Sequence, residues 1–285
     1  MKDSDTPRRP GPWDPRPEDL AVKPAAAEPV RVQAAEAPLD KGQNPVWAVI
    51  STALLGGFIW WITGSWVIAV ALIWGLLVHE FGHVLAMNRL GMGPARIYII
   101  PFLGGVAKSQ RLPQSEWHGV LVSLAGPAFG LLAAIPFFAG FIATGHGAWL
   151  LGAAVIAAVN LINLAPAPPL DGSKALGPVL AGIHPMVERV AMMAMGGLVV
   201  WWGFTTGRWI LAAFLAIALI GHLKRGTWRP DGRPLTRRES VFSVGLFVVT
   251  AAACAGVGVA ALMPLGNGSL PAALDIAGRY LGMGG

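Results

Sequence analysis

Seven long apolar stretches follow one another between Pro45 and Met263. They are residues 45–62, 66–87, 119–143, 148–165, 186–204, 208–223 and 241–263. Each is close to the roughly 20 residues that a helix needs to cross the hydrocarbon core of a bilayer, although 208–223 is short. Hydrophobic residues make up 54% of the chain and charged residues only 13%, which excludes an ordinary soluble domain. We therefore expect an all-α polytopic membrane protein with about six to seven transmembrane helices.

The segments outside these stretches differ in composition. Residues 1–43 are rich in Pro, Ala and charge and have no apolar periodicity, which predicts a disordered tail. This tail lacks the apolar core of a signal peptide, so we expect the first membrane helix to direct insertion. The remainder divides into a membrane core at 44–223, a basic loop at 224–240, and an additional transmembrane helix with its tail at 241–285.

The positions of the basic residues predict the orientation in the membrane. Of the 21 Lys and Arg residues, 19 lie in the first tail or in alternate connections between the stretches. The positive-inside rule assigns these connections, and the N-terminus, to the cytoplasm. The basic residues form no single basic face, so the net charge of +6 does not indicate nucleic-acid binding. The one cysteine, Cys254, lies in an apolar run and is expected to serve packing.

The second stretch contains the string His79-Glu80-Phe81-Gly82-His83. On a helix, positions i and i+4 share one face, so both imidazoles can bind one metal ion. This spacing is typical of two zinc ligands, with Glu80 placed to take a proton from an attacking water. Counting about 1.5 Å per residue from Trp66, His79 lies roughly 20 Å into the membrane, nearer its cytoplasmic side.

A catalytic zinc ion needs a third protein ligand. Apart from Glu80, Asp171 is the acidic residue at a suitable depth within or beside the apolar stretches. It follows a segment with three prolines, 166–170, and precedes Gly172, so the chain there is broken and can line a cavity. We predict Asp171 as the third ligand; the alternative is that it only caps the next helix.

Two further glycine-containing segments stand out. The connection from Arg96 to Ala107 is β-branched and apolar and is interrupted by Gly104-Gly105, which predicts a short hairpin that re-enters the membrane. Its strand edge could hold an extended peptide; the alternative is an interfacial loop with no substrate role, since Pro101 would interrupt a ladder. Gly126 and Gly130 have the small-xxx-small spacing that predicts close helix packing.

Together, the HEFGH string and the later motif Asn163-x-x-Pro166…Leu170-Asp171-Gly172 resemble the site-2 protease family of intramembrane zinc metalloproteases. The Gly104-Gly105 segment resembles the re-entrant β element of that family. The resemblance implies that His79, His83 and Asp171 bind one Zn²⁺ ion, that Glu80 is the general base, and that Asn163, Gly104 and Gly105 contact substrate. No PDZ domain fits between the two motifs, so the chain resembles the minimal branch; residues 241–263 lie beyond its six-helix core and are unexplained.

The resemblance also implies a function. It predicts regulated cleavage of membrane-anchored proteins, such as transcription-factor or anti-sigma-factor precursors, near the cytoplasmic face of a prokaryotic cytoplasmic membrane. Residues 44–223 would form the metalloprotease core. The alternatives are a membrane metal transporter or sensor that uses the same ligands, and an inactive relative that acts as a scaffold. A transporter needs polar sites across the whole bilayer, whereas an inactive relative would not need Glu80.

Overall fold

The computed structural model describes residues 42–100, 104–207, 209–225 and 232–280. The predicted tail at 1–43 lies outside the described residues, except for Gly42 and Gln43. The helices are α1 (Pro45–Thr63), α2 (Trp66–Arg89), α3 (Glu116–Gly130), α4 (Ile135–Thr144), α5 (Gly147–Asn163), α6 (Asp171–Ile183), α7 (Pro185–Thr205), α8 (Trp209–Arg225), α9 (Arg237–Leu262) and α10 (Leu270–Tyr280). The strands are β1 (Arg96–Ile100) and β2 (Gly104–Lys108).

Within the described residues, five helical segments are long and apolar enough to cross a membrane. They are α1, α2, the continuous segment Glu116–Thr144, α7 and α9. Helices α5 and α8 are also apolar but have only 17 residues each. The prediction of an all-α polytopic membrane protein is confirmed. The predicted count of six to seven spans would require α5 or α8, or both, to cross the membrane in addition to these five.

The third apolar stretch is one span made of three helical pieces. A 3₁₀ turn, Leu131–Ala134, separates α3 from α4, and Pro136 lies in the first turn of α4. Proline is tolerated there because the first N–H groups of a helix have no intrahelical acceptor. Both α3 and the 3₁₀ turn contact α2.

The predicted hairpin is present between α2 and α3. Strands β1 and β2 pair antiparallel, with Ile99 opposite Gly105 and Ile100 opposite Gly104. The two strands form a two-stranded sheet that packs on α2 and, through β1, on α1. The β-branched side chains favour the extended conformation of β1, as the sequence predicted.

Helix α2 lies at the centre of the packing, between α1, α3 and α5. Glycines allow this close approach, because a β-carbon at Gly82 would lie 2.8 Å from Phe129 Cβ and would overlap the Ala125 carbonyl oxygen of α3. Gly75 faces Ile156 of α5 in the same way, at 3.1 Å. Small residues at such contacts let apolar helices meet along their backbones.

Helix α9, which the sequence left unexplained, packs against α3, α5 and α6. Cys254 is 1% exposed and belongs to an apolar cluster with Val120, Leu164 and Ala175, so its predicted packing role is confirmed. Ser243 is fully buried and its hydroxyl donates to the Ala175 carbonyl of α6 at 2.7 Å. The additional helix therefore supports the helix that begins at Asp171.

Candidate metal centre

His79 and His83 project from one face of α2, as the i, i+4 spacing predicts. Their Nε2 atoms lie 3.1 Å apart, and the two residues are 2% and 7% exposed. Their position is set by α3 and α5, which cover this face of α2 on both sides. The pair is therefore held in the interior of the helix bundle.

Asp171 approaches the two imidazoles from another part of the chain. Its Oδ2 atom lies 3.1 Å from His79 Nε2 and 3.2 Å from His83 Nε2. Asp171 is the first residue of α6, after the proline-containing segment that follows α5. The backbone of Gly172 passes so close to the Leu164 and Ala165 carbonyls that a β-carbon would lie 2.6 Å from the Ala165 oxygen. Glycine at this position lets α6 start beside the end of α5.

The three groups fit a zinc ion. Ligand bonds of about 2.0–2.1 Å in a tetrahedron separate the ligand atoms by about 3.3 Å. The three separations between His79 Nε2, His83 Nε2 and Asp171 Oδ2 are 3.1, 3.1 and 3.2 Å. Among the described residues, these three form the group of His, Cys, Asp and Glu side chains that could hold a metal ion. Two imidazoles and one carboxylate are a catalytic zinc set, with the fourth position open.

Hydrogen bonds on the far side of each ring fix which nitrogen faces the centre. His83 Nδ1 lies 2.7 Å from the Val122 carbonyl, which can only accept, so Nδ1 carries the proton. Asn160 Nδ2 donates to the Ile156 carbonyl at 2.8 Å, and its Oδ1 therefore accepts from His79 Nδ1 at 2.9 Å. When both rings are neutral, both Nε2 atoms consequently present lone pairs toward the carboxylate oxygen. Three converging acceptors in a buried site repel one another unless a cation lies between them.

Asn160 is a functional residue that sequence reasoning missed. It lies on α5 and is 1% exposed. The signal was present, since Asn160 is a buried amide in an apolar run one helical turn before Asn163. Its role depended on which helix faces His79, and the apolar pattern of a membrane span does not reveal this.

Gly126 supplies space beside the imidazoles. A β-carbon at this position in α3 would lie 2.8 Å from His79 Nε2 and closer still to His83 Nε2. Gly130, one turn later, faces the Asn160 amide in the same way. The close packing predicted for these two glycines therefore occurs at the metal centre itself.

Glu80 lies next to His79 on α2 and is 7% exposed. It borders a small cavity between α1, α2 and the hairpin. The cavity is lined by Thr52, Leu55, Ile73, Leu76, Leu77, Glu80, Ile99 and Gly105. A β-carbon at Gly105 would lie 2.6 Å from Glu80 Cγ, so glycine in β2 lets the hairpin approach this carboxylate.

Asn163 and Gly104 are the remaining predicted site residues. Asn163 is half-buried at the last position of α5, one turn beyond Asn160. Gly104 begins β2, opposite Ile100. Their contact with substrate stays a prediction, as does that of Gly105.

Comparison with known proteins agrees with the motifs. Residues 67–149, which include HEFGH, match the family model described as peptidase family M50. A Synechocystis protein named "Putative zinc metalloprotease sll0528" is 32% identical over 125 residues, which are 41% of this chain and 31% of that protein. The chain thus spans about a third of the length of this curated relative. No solved structure matches.

The HEFGH string, the proximity of Asp171 to its two histidines and the family match all indicate the same kind of site. The part of the chain that carries HEFGH, residues 67–149, is similar to peptidase family M50, the site-2 protease family.

Proposed function

We propose that this protein is an intramembrane zinc metalloprotease that hydrolyses peptide bonds of membrane-anchored proteins. The observation that carries the proposal is the buried triangle of His79 Nε2, His83 Nε2 and Asp171 Oδ2, with sides of 3.1–3.2 Å. Glu80 lies beside it on the same helix. The match of residues 67–149 to the M50 family model supports zinc as the ion.

The chain's own residues would perform the remaining chemistry. When bound, zinc supplies Lewis-acid chemistry that polarises a carbonyl and makes water nucleophilic at neutral pH. Glu80 would take the proton of the attacking water and deliver it to the leaving amine. In this mechanism no covalent bond to the protein is needed.

Water would reach the site from the side of α6. Lys174 is one helical turn from Asp171, and its Nζ atom lies 3.8 Å from Asp171 Oδ1 while the side chain is 63% exposed. An ammonium group is strongly hydrated, which supports the proposal that this side of the site borders water. The positive-inside pattern supports assigning that side, and the N-terminus, to the cytoplasm.

The hairpin would hold the substrate in an extended form. Peptide bonds in a transmembrane helix are shielded by their own hydrogen bonds, so a substrate must unwind before it is attacked. A strand edge stabilises an unwound segment by main-chain pairing. Gly105 lies in β2 beside Glu80, and we propose that Gly104 and Asn163 contact the same substrate segment. Transcription-factor or anti-sigma-factor precursors in a prokaryotic cytoplasmic membrane are the proposed substrates.

Comparative proteomics of cell membranes tests this function. Cells that express Glu80→Gln should lose specific membrane-protein fragments seen with the wild type, because removal of a general base costs about 10²–10⁴-fold in rate. The purified Glu80→Gln protein should keep its zinc, whereas His79→Ala should lose both zinc and cleavage. Phe81→Leu is the matched control, because Phe81 is 52% exposed on the same helix and should retain full activity.

Two results would contradict the proposal. If cells that express Glu80→Gln gave the wild-type fragment pattern, Glu80 would not be the general base. Zinc flux into proteoliposomes, without peptide cleavage, would instead support a transporter.

A further inference from the structure

The side chain of Gln43 forms two hydrogen bonds with one residue of β1. Its Nε2 atom donates to the Ile99 carbonyl at 2.9 Å, and its Oε1 atom accepts from the Ile99 N–H at 2.8 Å. A carboxamide offers a donor and an acceptor side by side, like the main chain of a neighbouring strand. Gln43 therefore occupies the position that a strand added beside Ile99 would take.

The residues before and after Gln43 also have fixed positions. Gly42 has a φ of +84°, and a β-carbon there would lie 2.8 Å from Arg96 Cδ, so the chain passes directly over the start of β1. Asn44 caps α1, with its Oδ1 accepting from the Val46 N–H at 2.9 Å. Because the helix begins immediately afterwards, Gln43 is fixed relative to α1 as well as to β1.

The register of the hairpin then determines which main-chain groups of β2 point away from β1, at the edge near Glu80. The N–H and C=O of Ile99 both bind Gln43, so Ile99 and Gly105 form a pair without mutual main-chain hydrogen bonds. In such an antiparallel pair the main-chain groups of the two residues point in opposite directions. The N–H and C=O of Gly105 therefore point to the outer edge of β2, on the strand that contacts Glu80.

We propose that Gln43 is a specificity-determining residue that closes the outer edge of β1 and directs an extended substrate segment to the edge of β2. This rests on the proposed proteolytic function. A two-stranded sheet offers two edges for strand addition. Closing the edge farther from Glu80 leaves pairing with Gly105, which keeps the bound segment beside the catalytic carboxylate. Gln43 acts through the hairpin and has no role in the chemical step.

Amide hydrogen exchange of the full chain in detergent tests the contact. Gln43→Ala should speed exchange of the Ile99 amide by about 2- to 10-fold, as expected for the loss of one hydrogen bond. Gln43→Glu keeps the acceptor for the Ile99 N–H but places a carboxylate against the Ile99 carbonyl, so a smaller increase is expected. Gln114→Ala, which changes an exposed side chain, is the matched control and should leave this amide unchanged. Unchanged exchange in Gln43→Ala would overturn the proposal.

A photoreactive probe tests the choice of edge. The probe is an extended peptide hydroxamate, anchored by its zinc-binding group, with a diazirine side chain beside the hydroxamate. The wild type should be labelled on β2, and Gln43→Ala should be labelled on both strands. Zinc-dependent labelling of β1 in the wild type, or unchanged labelling in Gln43→Ala, would overturn this proposal while leaving the proteolytic function standing. Absence of zinc-dependent labelling in every variant would count against the proteolytic function and would remove this proposal with it.

Discussion

Replacing Asn160 by alanine should weaken zinc binding although Asn160 is not a ligand. The substitution removes the Oδ1 atom that accepts from His79 Nδ1 at 2.9 Å, and no water replaces it easily at a site that is 1% exposed. With zinc bound to Nε2, the Nδ1–H group is then buried without an acceptor. Without zinc, the ring can move its proton to Nε2 and donate to Asp171 instead. The cost therefore falls on the zinc-bound state.

The size of the effect follows from this cost. A buried donor left without a partner costs about 1–3 kcal/mol. Because about 1.4 kcal/mol corresponds to a factor of ten, zinc affinity should fall by about 5- to 150-fold. Loss of the hydrogen-bonding partner of a metal-binding histidine in other proteins costs about 10–100-fold, which lies within this range.

Competition with a chromophoric zinc chelator measures the effect on the purified protein in detergent. Asn163→Ala is the matched control, because Asn163 lies one turn away on α5 and should change zinc affinity by less than about 2-fold. Gly130→Ala should reproduce the loss by a second route, since a β-carbon there overlaps the Asn160 amide. Wild-type zinc affinity in Asn160→Ala would refute the assignment of Asn160 as the partner that fixes His79.

Two further substitutions test the surroundings of the centre. Gly126→Ala should abolish zinc binding and cleavage while leaving the protein folded, because its methyl group would lie 2.8 Å from His79 Nε2; full zinc content in this variant would contradict the predicted clash. Ser243→Ala should lower the melting temperature in detergent by about 2–4 °C, because a buried hydrogen bond of about 1 kcal/mol to α6 is lost, and an unchanged melting temperature would show that α9 does not support α6 through this contact.

The paired histidines were predictable because helix geometry alone brings positions 79 and 83 to one face. Asp171 was predictable for a different reason. An acidic group near the membrane interior is costly, so very few residues could complete the site. The hairpin followed from the β-branched run before Gly104, whose side chains favour extended backbone.

Other features could not be read from the sequence, because they depend on which helix faces meet. Gly126 and Gly130 indicated close packing. That they face the imidazoles and Asn160 could not be predicted, because it depends on how α3 and α5 pack against α2. The pairing of Gln43 with Ile99 joins residues 56 positions apart and has no local signal. Helix α9 carried no motif, and its support of α6 rests on the contact of Ser243 with Ala175.

The central claim is that one zinc ion is bound by two imidazoles of α2 and one carboxylate of α6. X-ray absorption at the zinc edge, on the purified protein, measures this coordination directly. Metal analysis should give one zinc per chain, and the spectrum should show only nitrogen and oxygen ligands at about 2.0–2.1 Å, two of them imidazoles; Asp171→Ala should lose the ion. A sulfur ligand at about 2.3 Å, or an unchanged spectrum and zinc content in Asp171→Ala, would contradict the account.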